Sequence, residues 1–245
     1  SNQIRKLLIY GKNIRIGWTM NIKTNSLQHY IDKLKSNEKF SFTRWGDGEW
    51  GCVFGAQGHN VDRHQYFPEM SEGLLEALAV DKGYIKATWP LTVPMFSRIN
   101  PLITEFIEVN EIENEWHDAR VWEEEAMKGE LNPLIKQLEE MDFIVVSEES
   151  KRKLSVKYTD FIEVPAVDCF LEKESIKEKV IDMCDRYDKP VFGFSASMAT
   201  NVIVDELHSV VGDKCWMIDF GSIWEPFVGN ITRSYHHRYE SKEIK

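Results

Sequence analysis

Short apolar runs alternate with amphipathic helical stretches through the second half of this chain, and that alternation constrains the fold more than any other feature. The runs are FIVV (residues 143–146), FIEV (161–164), PVFGF (190–194) and CWMIDF (215–220). Between them, Ile176, Val180, Met183, Cys184 and Tyr187 recur at helical spacing, as do Ala199, Val202, Ile203 and Leu207. Strands that are apolar throughout must be covered on both faces. The pattern therefore predicts an α/β fold: a Rossmann-like, mostly parallel sheet with helices on both faces.

The first half adds to the same plan. Leu27, Tyr30, Ile31 and Leu34 mark a helix behind the polar run Thr24-Asn25-Ser26, which supplies a cap. Residues 40–43 and 84–88 read as strands, with a helix through Leu74, Leu75 and Leu78 between them that Ser71 can cap. Residues 100–140 read as an acidic helical insertion, broken by Asn132-Pro133 with Pro133 in a first helical turn. Its stretch VWEEEAMKGE reads as a solvated face. No linker or internal repeat divides the 245 residues, so one domain is expected, with an N-terminal arm (1–25) and a polar tail (230–245) in which His236 and His237 face solvent.

The formal net charge is -10 and the pI about 5.3, which argues against a broad nucleic-acid-binding face. Cys52, Cys169, Cys184 and Cys215 are too far apart for zinc-type pairing and fit a reduced cytoplasm. No run approaches the ~20 apolar residues of a membrane span, and the first residues lack the apolar core of a signal peptide.

Open α/β sheets bind ligands at the carboxyl ends of their strands, and four stretches are expected there. The first is RWGDGE, with Arg44, Gly46, Asp47, Gly48 and Glu49. An Asp-x-Glu pair offers hard oxygen ligands suited to Mg²⁺ or Mn²⁺. Read as extended backbone, it points both carboxylates the same way. Gly-Asp-Gly is also a common turn composition. The second is SEESKRK, where Glu148 precedes Lys151 and Arg152, basic groups able to face a diphosphate or simply to form an exposed turn. The third is SASMAT, whose Ser195 and Ser197 either help a helix N-terminus hold phosphate or serve as an N-cap. The fourth is DFGSIWE, with Asp219 ending an apolar strand and Glu225 beyond it. Trp45, Trp50, Phe54, Trp89 and Trp224 are either core or stacking surfaces for a sugar or base.

These motifs resemble, in order, those of the GT-D glycosyltransferases. FTRWGDGEW is similar to the family's metal-binding segment, DFIVVSEESKRKL to its central strand and Glu/Ser/Arg loop, GFSASMATNVIVDEL to its strand, small-residue turn and helix, and CWMIDFGSIW to its closing strand. Two positions depart from the family pattern: Ser195-Ala196-Ser197 replaces a Gly-Pro-like turn, and Ser222 stands where a His often follows the glycine. The resemblance implies a transferase that uses a nucleotide sugar, typically a UDP-sugar, with Mn²⁺ or Mg²⁺ held by Asp47 and Glu49. Arg44 would support that site or touch phosphate. An inverting reaction would need a carboxylate base, for which Asp219, Glu225 and Asp62 are candidates. The expected acceptor is a glycan hydroxyl, with a modified DNA base as the alternative. Metal-dependent phosphohydrolysis and a non-catalytic binding module are the rival classes.

Overall fold

The computed structural model describes residues 20–90 and 99–239. Of the expected N-terminal arm and polar tail, residues 1–19 and 240–245 lie outside this range. The strands are β1 (Ile22–Lys23), β2 (Ser41–Trp45), β3 (Ile85–Thr88), β4 (Trp116–Asp118), β5 (Asp142–Ser147), β6 (Asp160–Glu163), β7 (Pro190–Ser195) and β8 (Trp216–Asp219). They form one sheet in the order β1-β4-β3-β2-β8-β7-β5-β6, and every pairing is parallel. The expected strand runs all take part, displaced by a residue or two.

The helices are α1 (Leu27–Lys35), α2 (Asp47–Val53), α3 (Pro68–Ala79), α4 (Asn100–Val109), α5 (Val121–Lys128), α6 (Asn132–Glu139), α7 (Lys173–Arg186) and α8 (Ala199–Val211). In α1 the Ser26 side chain accepts from His29 N, and Lys33 and Lys35 lie in the last turn, where they suit the helix dipole. Pro68 opens α3, so Ser71 lies inside the helix. Its hydroxyl donates to Cys52 O at 2.9 Å instead of capping. The stretch 100–140 carries α4, α5 and α6, and β4 within it inserts between β1 and β3.

Alternation along the strands builds two cores. Trp45, Ile144, Val146, Phe192, Phe194 and Met217 face α2, α3, α4, α7 and α8. Phe42, Phe143, Val145, Val191, Trp216 and Ile218 face α1, α5, α6 and the segment after β8. After β2 the chain turns to the first face; after β8 it turns to the second. The crevice between their carboxyl ends is therefore a topological switch point. Two recesses lie at the opposite, amino end of the sheet. One is lined by Asp142, Lys157 and Asp188, the other by Met20, Lys23 and Trp116. Among the described residues no helix is long and apolar enough to cross a membrane.

Gly193 is required by packing. A Cβ there would stand 2.6 Å from Phe143 and 3.1 Å from Phe220. Gly193→Ala is expected to destabilise the protein by about 1–3 kcal/mol through overpacking, and Phe143→Leu in the same chain to recover part of the loss. Urea unfolding of the single and double variants measures both effects.

Candidate functional site

Arg44 is the fourth residue of β2, and its backbone N–H and C=O face β8. The β2–β8 ladder is recorded only at Ser41↔Met217 and Phe42↔Ile218. Beyond it, side chains take over. Arg44 N donates to Asp219 Oδ2 at 3.2 Å, and Asn201 Nδ2 donates to Arg44 O at 3.0 Å. The guanidinium crosses to the α5 face, where Nε donates to Ala119 O at 3.1 Å and Nη2 pairs with Glu123. Glu123 and Asp219 hold its pKa above the ordinary range despite burial. Gly221, at φ 57°, makes room: a Cβ there would lie 1.8 Å from Arg44 Nη1. Glu123 was expected on a solvated helix face and is instead a wall of this site.

The Asp-x-Glu pair is helical, not extended. Asp47 and Glu49 occupy the first turn of α2, with Gly46 as its N-cap. Side chains lean toward a helix N-terminus. Glu49 accordingly folds back, and its Oε2 accepts from Gly46 N at 2.8 Å. Asp47 is exposed and Glu49 partly buried. The first turn thus keeps both carboxylates at the crevice, although two helical steps separate their directions. Gly48 packs against Met198, whose side chain would lie 3.2 Å from a Cβ at that position.

Asp219 Oδ1 accepts from Gly221 N at 2.8 Å. Burial pushes its carboxyl up to about 6, opposed by Arg44. Burial also pushes Glu49 up to about 7, reinforced by the charges of Asp219 and Asp47. Among the described residues no group of three or more His, Cys, Asp and Glu side chains is arranged to hold a metal ion. Tyr66 stands beside this acid pair. Burial raises its hydroxyl pKa, and the charges of Asp47 and Glu49 add to the rise.

The other three stretches reach the same edge through β5, β7 and β8, with altered roles. Lys151 is only 2% exposed, and its Nζ donates to Glu148 at 2.7 Å and pairs with Glu225 at 2.8 Å. It is not a free basic turn. Burial would raise the Glu148 carboxyl, but Lys151 and Ser150 pull it below its ordinary value. Arg152 turns outward to Glu163 at 3.0 Å. Neither serine of the third stretch is an N-cap, because Met198 holds that position before α8. Ser197, at φ 54°, accepts from Asn60 Nδ2 at 3.0 Å, and the Ser195 hydroxyl is buried without a protein partner.

Of the candidate bases, Asp62 is held by Arg233 at 2.6 Å and Glu225 by Lys151 and Asn230. Trp45, Trp50, Trp89 and Trp224 are core residues and offer no stacking face. Phe54 is partly buried against Trp50 and Phe106. His236, expected in solvent, is buried: its Nδ1 accepts from Thr232 N and Arg233 N, each at 3.2 Å. His237 is exposed. Sequence reasoning missed Glu123, Arg233, Tyr66 and His236; the one local hint for any of them is Trp122, a large aromatic directly before the acidic run Glu123–Glu125.

No protein-family model matches this chain, and no curated protein is similar to it in sequence. Among solved structures it is similar to a selenomethionine-substituted structure of domain of unknown function 1792. The TM-score is 0.59 and the identity 14%, with 91% of this chain and 82% of that chain covered. The shared feature is the fold.

The raised carboxyls give the site a pH signature. Unfolded, Glu49 ionises near its ordinary 4.5; folded, it holds its proton to about 7. The native state binds more protons in that window, so stability falls as pH rises through it. Asp219 acts likewise from 3.8 to about 6. Glu49→Gln, which keeps an acceptor for Gly46 N, is expected to flatten the decline between about pH 6 and 7. Denaturant midpoints of chelator-treated protein would show it; an unchanged slope would locate the protons elsewhere.

Proposed function

We propose that this protein is a metal-dependent glycosyltransferase that moves a sugar from a nucleoside diphosphate sugar, a UDP-sugar by motif resemblance, to an acceptor hydroxyl on a glycan. The observation that carries the reading is the acid-rich crevice itself. Asp47 and Glu49 both lie in the first turn of α2, above the switch point, and Asp219 lies at the end of β8 on the other side of the crevice. Burial raises Glu49 first and the neighbouring acids add to it, and a divalent cation would stabilise its ionised form.

The donor set fits Mg²⁺ or Mn²⁺. Both prefer hard oxygens, and Mg²⁺ commonly takes one or two carboxylates and completes its shell with phosphate oxygens and water. Asp47, exposed at the mouth, and the Oε1 of Glu49 would hold the ion; Oε2 of Glu49 is engaged with Gly46 N. When bound, the ion would stabilise the negative charge that develops on a departing diphosphate.

The chain's own residues supply the rest. The Arg44 amide binds Asp219, and the Arg44 charge opposes the rise that burial imposes on that carboxyl. The turn between β7 and α8 would offer phosphate the backbone amides at the N-terminus of α8. Asp219, whose two oxygens accept from the Arg44 and Gly221 amides, is among the described residues the candidate base with no direct side-chain ion pair, and we assign it to take the acceptor proton. Glu225 is committed to Lys151, and Asp62 to Arg233. A carboxyl raised to about 6 holds a proton more readily than an ordinary aspartate, which suits a general base near neutral pH.

Asp47→Ala and Glu49→Ala are each expected to lower transfer by at least about a hundredfold while leaving the melting temperature of metal-free protein within a few degrees of wild type. The assay incubates UDP-sugars and a glycan acceptor with Mn²⁺ and reads the released nucleotide. Nucleoside diphosphate marks transfer; nucleoside monophosphate or free phosphate marks a phosphohydrolase. Full Mn²⁺-dependent turnover by both variants rejects the site.

A further inference from the structure

A diphosphate carries several negative charges, and the edge that would receive it is crowded with carboxylates. The deep cations there are already committed. Arg44 is enclosed by Glu123, Ala119 O and Asp219, and Lys151 lies between Glu148 and Glu225. Arg152 points away, to Glu163. Arg233 differs. It precedes the short 3-10 turn Ser234–Arg238, in a segment that packs on α5. Its Nη2 donates to both oxygens of Asp62, at 2.7 and 2.6 Å, and its Nη1 to Thr232 O at 3.1 Å. Among the described residues no acceptor is recorded for its Nε–H. The two side chains are 27% and 38% exposed. Asn60, which accepts from Asp62 N at 3.0 Å, has its Nδ2 only 3.6 Å from where a Cβ on Gly48 would stand, so the Asp62–Arg233 pair lies beside the turn that carries Asp47 and Glu49.

We propose that Arg233 binds the diphosphate of the donor, and that Asp62 is its resting partner, exchanged for phosphate when the donor enters. The inference rests on the transferase reading above and names the cation that reading lacks. Three features carry it. First, the exchange is cheap: a partly exposed ion pair is weakened by solvent, whereas a guanidinium meets phosphate oxygens with a matched fork of donors. Second, the pair is not what holds the two segments. On one side, Asn60 fixes the loop by donating to Ser197 and accepting from Asp62 N and His64 N. On the other, the Thr232 and Arg233 amides bind the buried His236 ring, and the Tyr235 hydroxyl meets Ser222 Oγ at 2.5 Å. The guanidinium is therefore positioned before any ligand arrives. Third, Arg233 spends one nitrogen on Asp62 in place of a parallel fork, so its best pairing geometry is unused.

The test is calorimetric titration of UDP and of inorganic pyrophosphate, each with Mn²⁺, into wild type, Arg233→Gln, Arg233→Lys and Asp62→Asn. Arg233→Gln is expected to weaken both ligands about tenfold or more, and Arg233→Lys by less, because it keeps the charge without the fork. Asp62→Asn is expected to bind both as tightly as wild type or more so, since it releases the guanidinium. A purely structural clasp predicts instead that the Asn and Gln variants lose affinity and melting temperature together. That result, or wild-type affinity in Arg233→Gln, overturns the assignment and leaves the transfer reading to its product assay. Wild type that binds neither probe removes both.

Discussion

The site depends on one substitution of partners: at Arg44 a side-chain carboxylate and a side-chain amide do the work of a neighbouring strand. Backbone groups buried at a strand end must be paired. Here β2 and β8 part after Phe42 and Ile218, and Asp219 and Asn201 take the Arg44 N–H and C=O. On its other side β8 stays tied to β7, since Phe220 N donates to Phe194 O at 3.0 Å. The strands can therefore open on one side without losing the sheet. The opening would be costly if its charges were unpaired. The guanidinium pairs with Glu123 and Ala119 O, and the absence of a side chain at Gly221 lets it fit there.

The same opening explains why the first turn of α2 carries acids. A helix N-terminus presents unpaired amides and a positive partial charge, which favour carboxylates. Glu49 uses one oxygen for the Gly46 amide, and Asp47 lies free at the end of the helix. Burial works against that preference and raises Glu49, and the neighbouring carboxylates add to the rise. The local helix stabilises the acids individually, while the tertiary fold crowds them with Asp219. A site under that tension is a place where added positive charge is favourable.

Much of the frame was legible because strand and helix periodicities are local. FIVV, FIEV, PVFGF and CWMIDF are strands, and the four stretches after β2, β5, β7 and β8 do share one edge. The two-residue β1 and the three-residue β4 carry too short a pattern to be read. Roles failed wherever they depend on distant partners. Arg44 and Glu123 are 79 residues apart and Asp62 and Arg233 are 171 apart, so no spacing rule connects them. Lys151 looked like an exposed basic residue because its neighbours are polar, yet Glu225 closes over it from another element. The Asp-x-Glu pair failed for a different reason. Flanking glycines suggested extended backbone, but Glu49 pairing back with its N-cap amide is what starts a helix there.

The aromatic residues, which could have been stacking surfaces, fix the crevice from behind. On one face Trp45, Trp50 and Trp116 meet at centroid separations of 5.5–6.2 Å and brace the corner from β2 into α2. On the other face Phe220 meets both Trp122 and Trp224 at 5.3 Å, bracing the exit from β8. The two diverging connections are thus anchored to opposite cores. Trp122 also packs on Tyr30 and Phe42, which sets the rotation of α5. Glu123 is its chain neighbour, so burying the indole turns that carboxylate toward Arg44. A helix with four charged residues in eight is oriented by its buried Trp122, Val121 and Ala126, and the electrostatics of the site follow from a packing decision made on the far side of the sheet from α2.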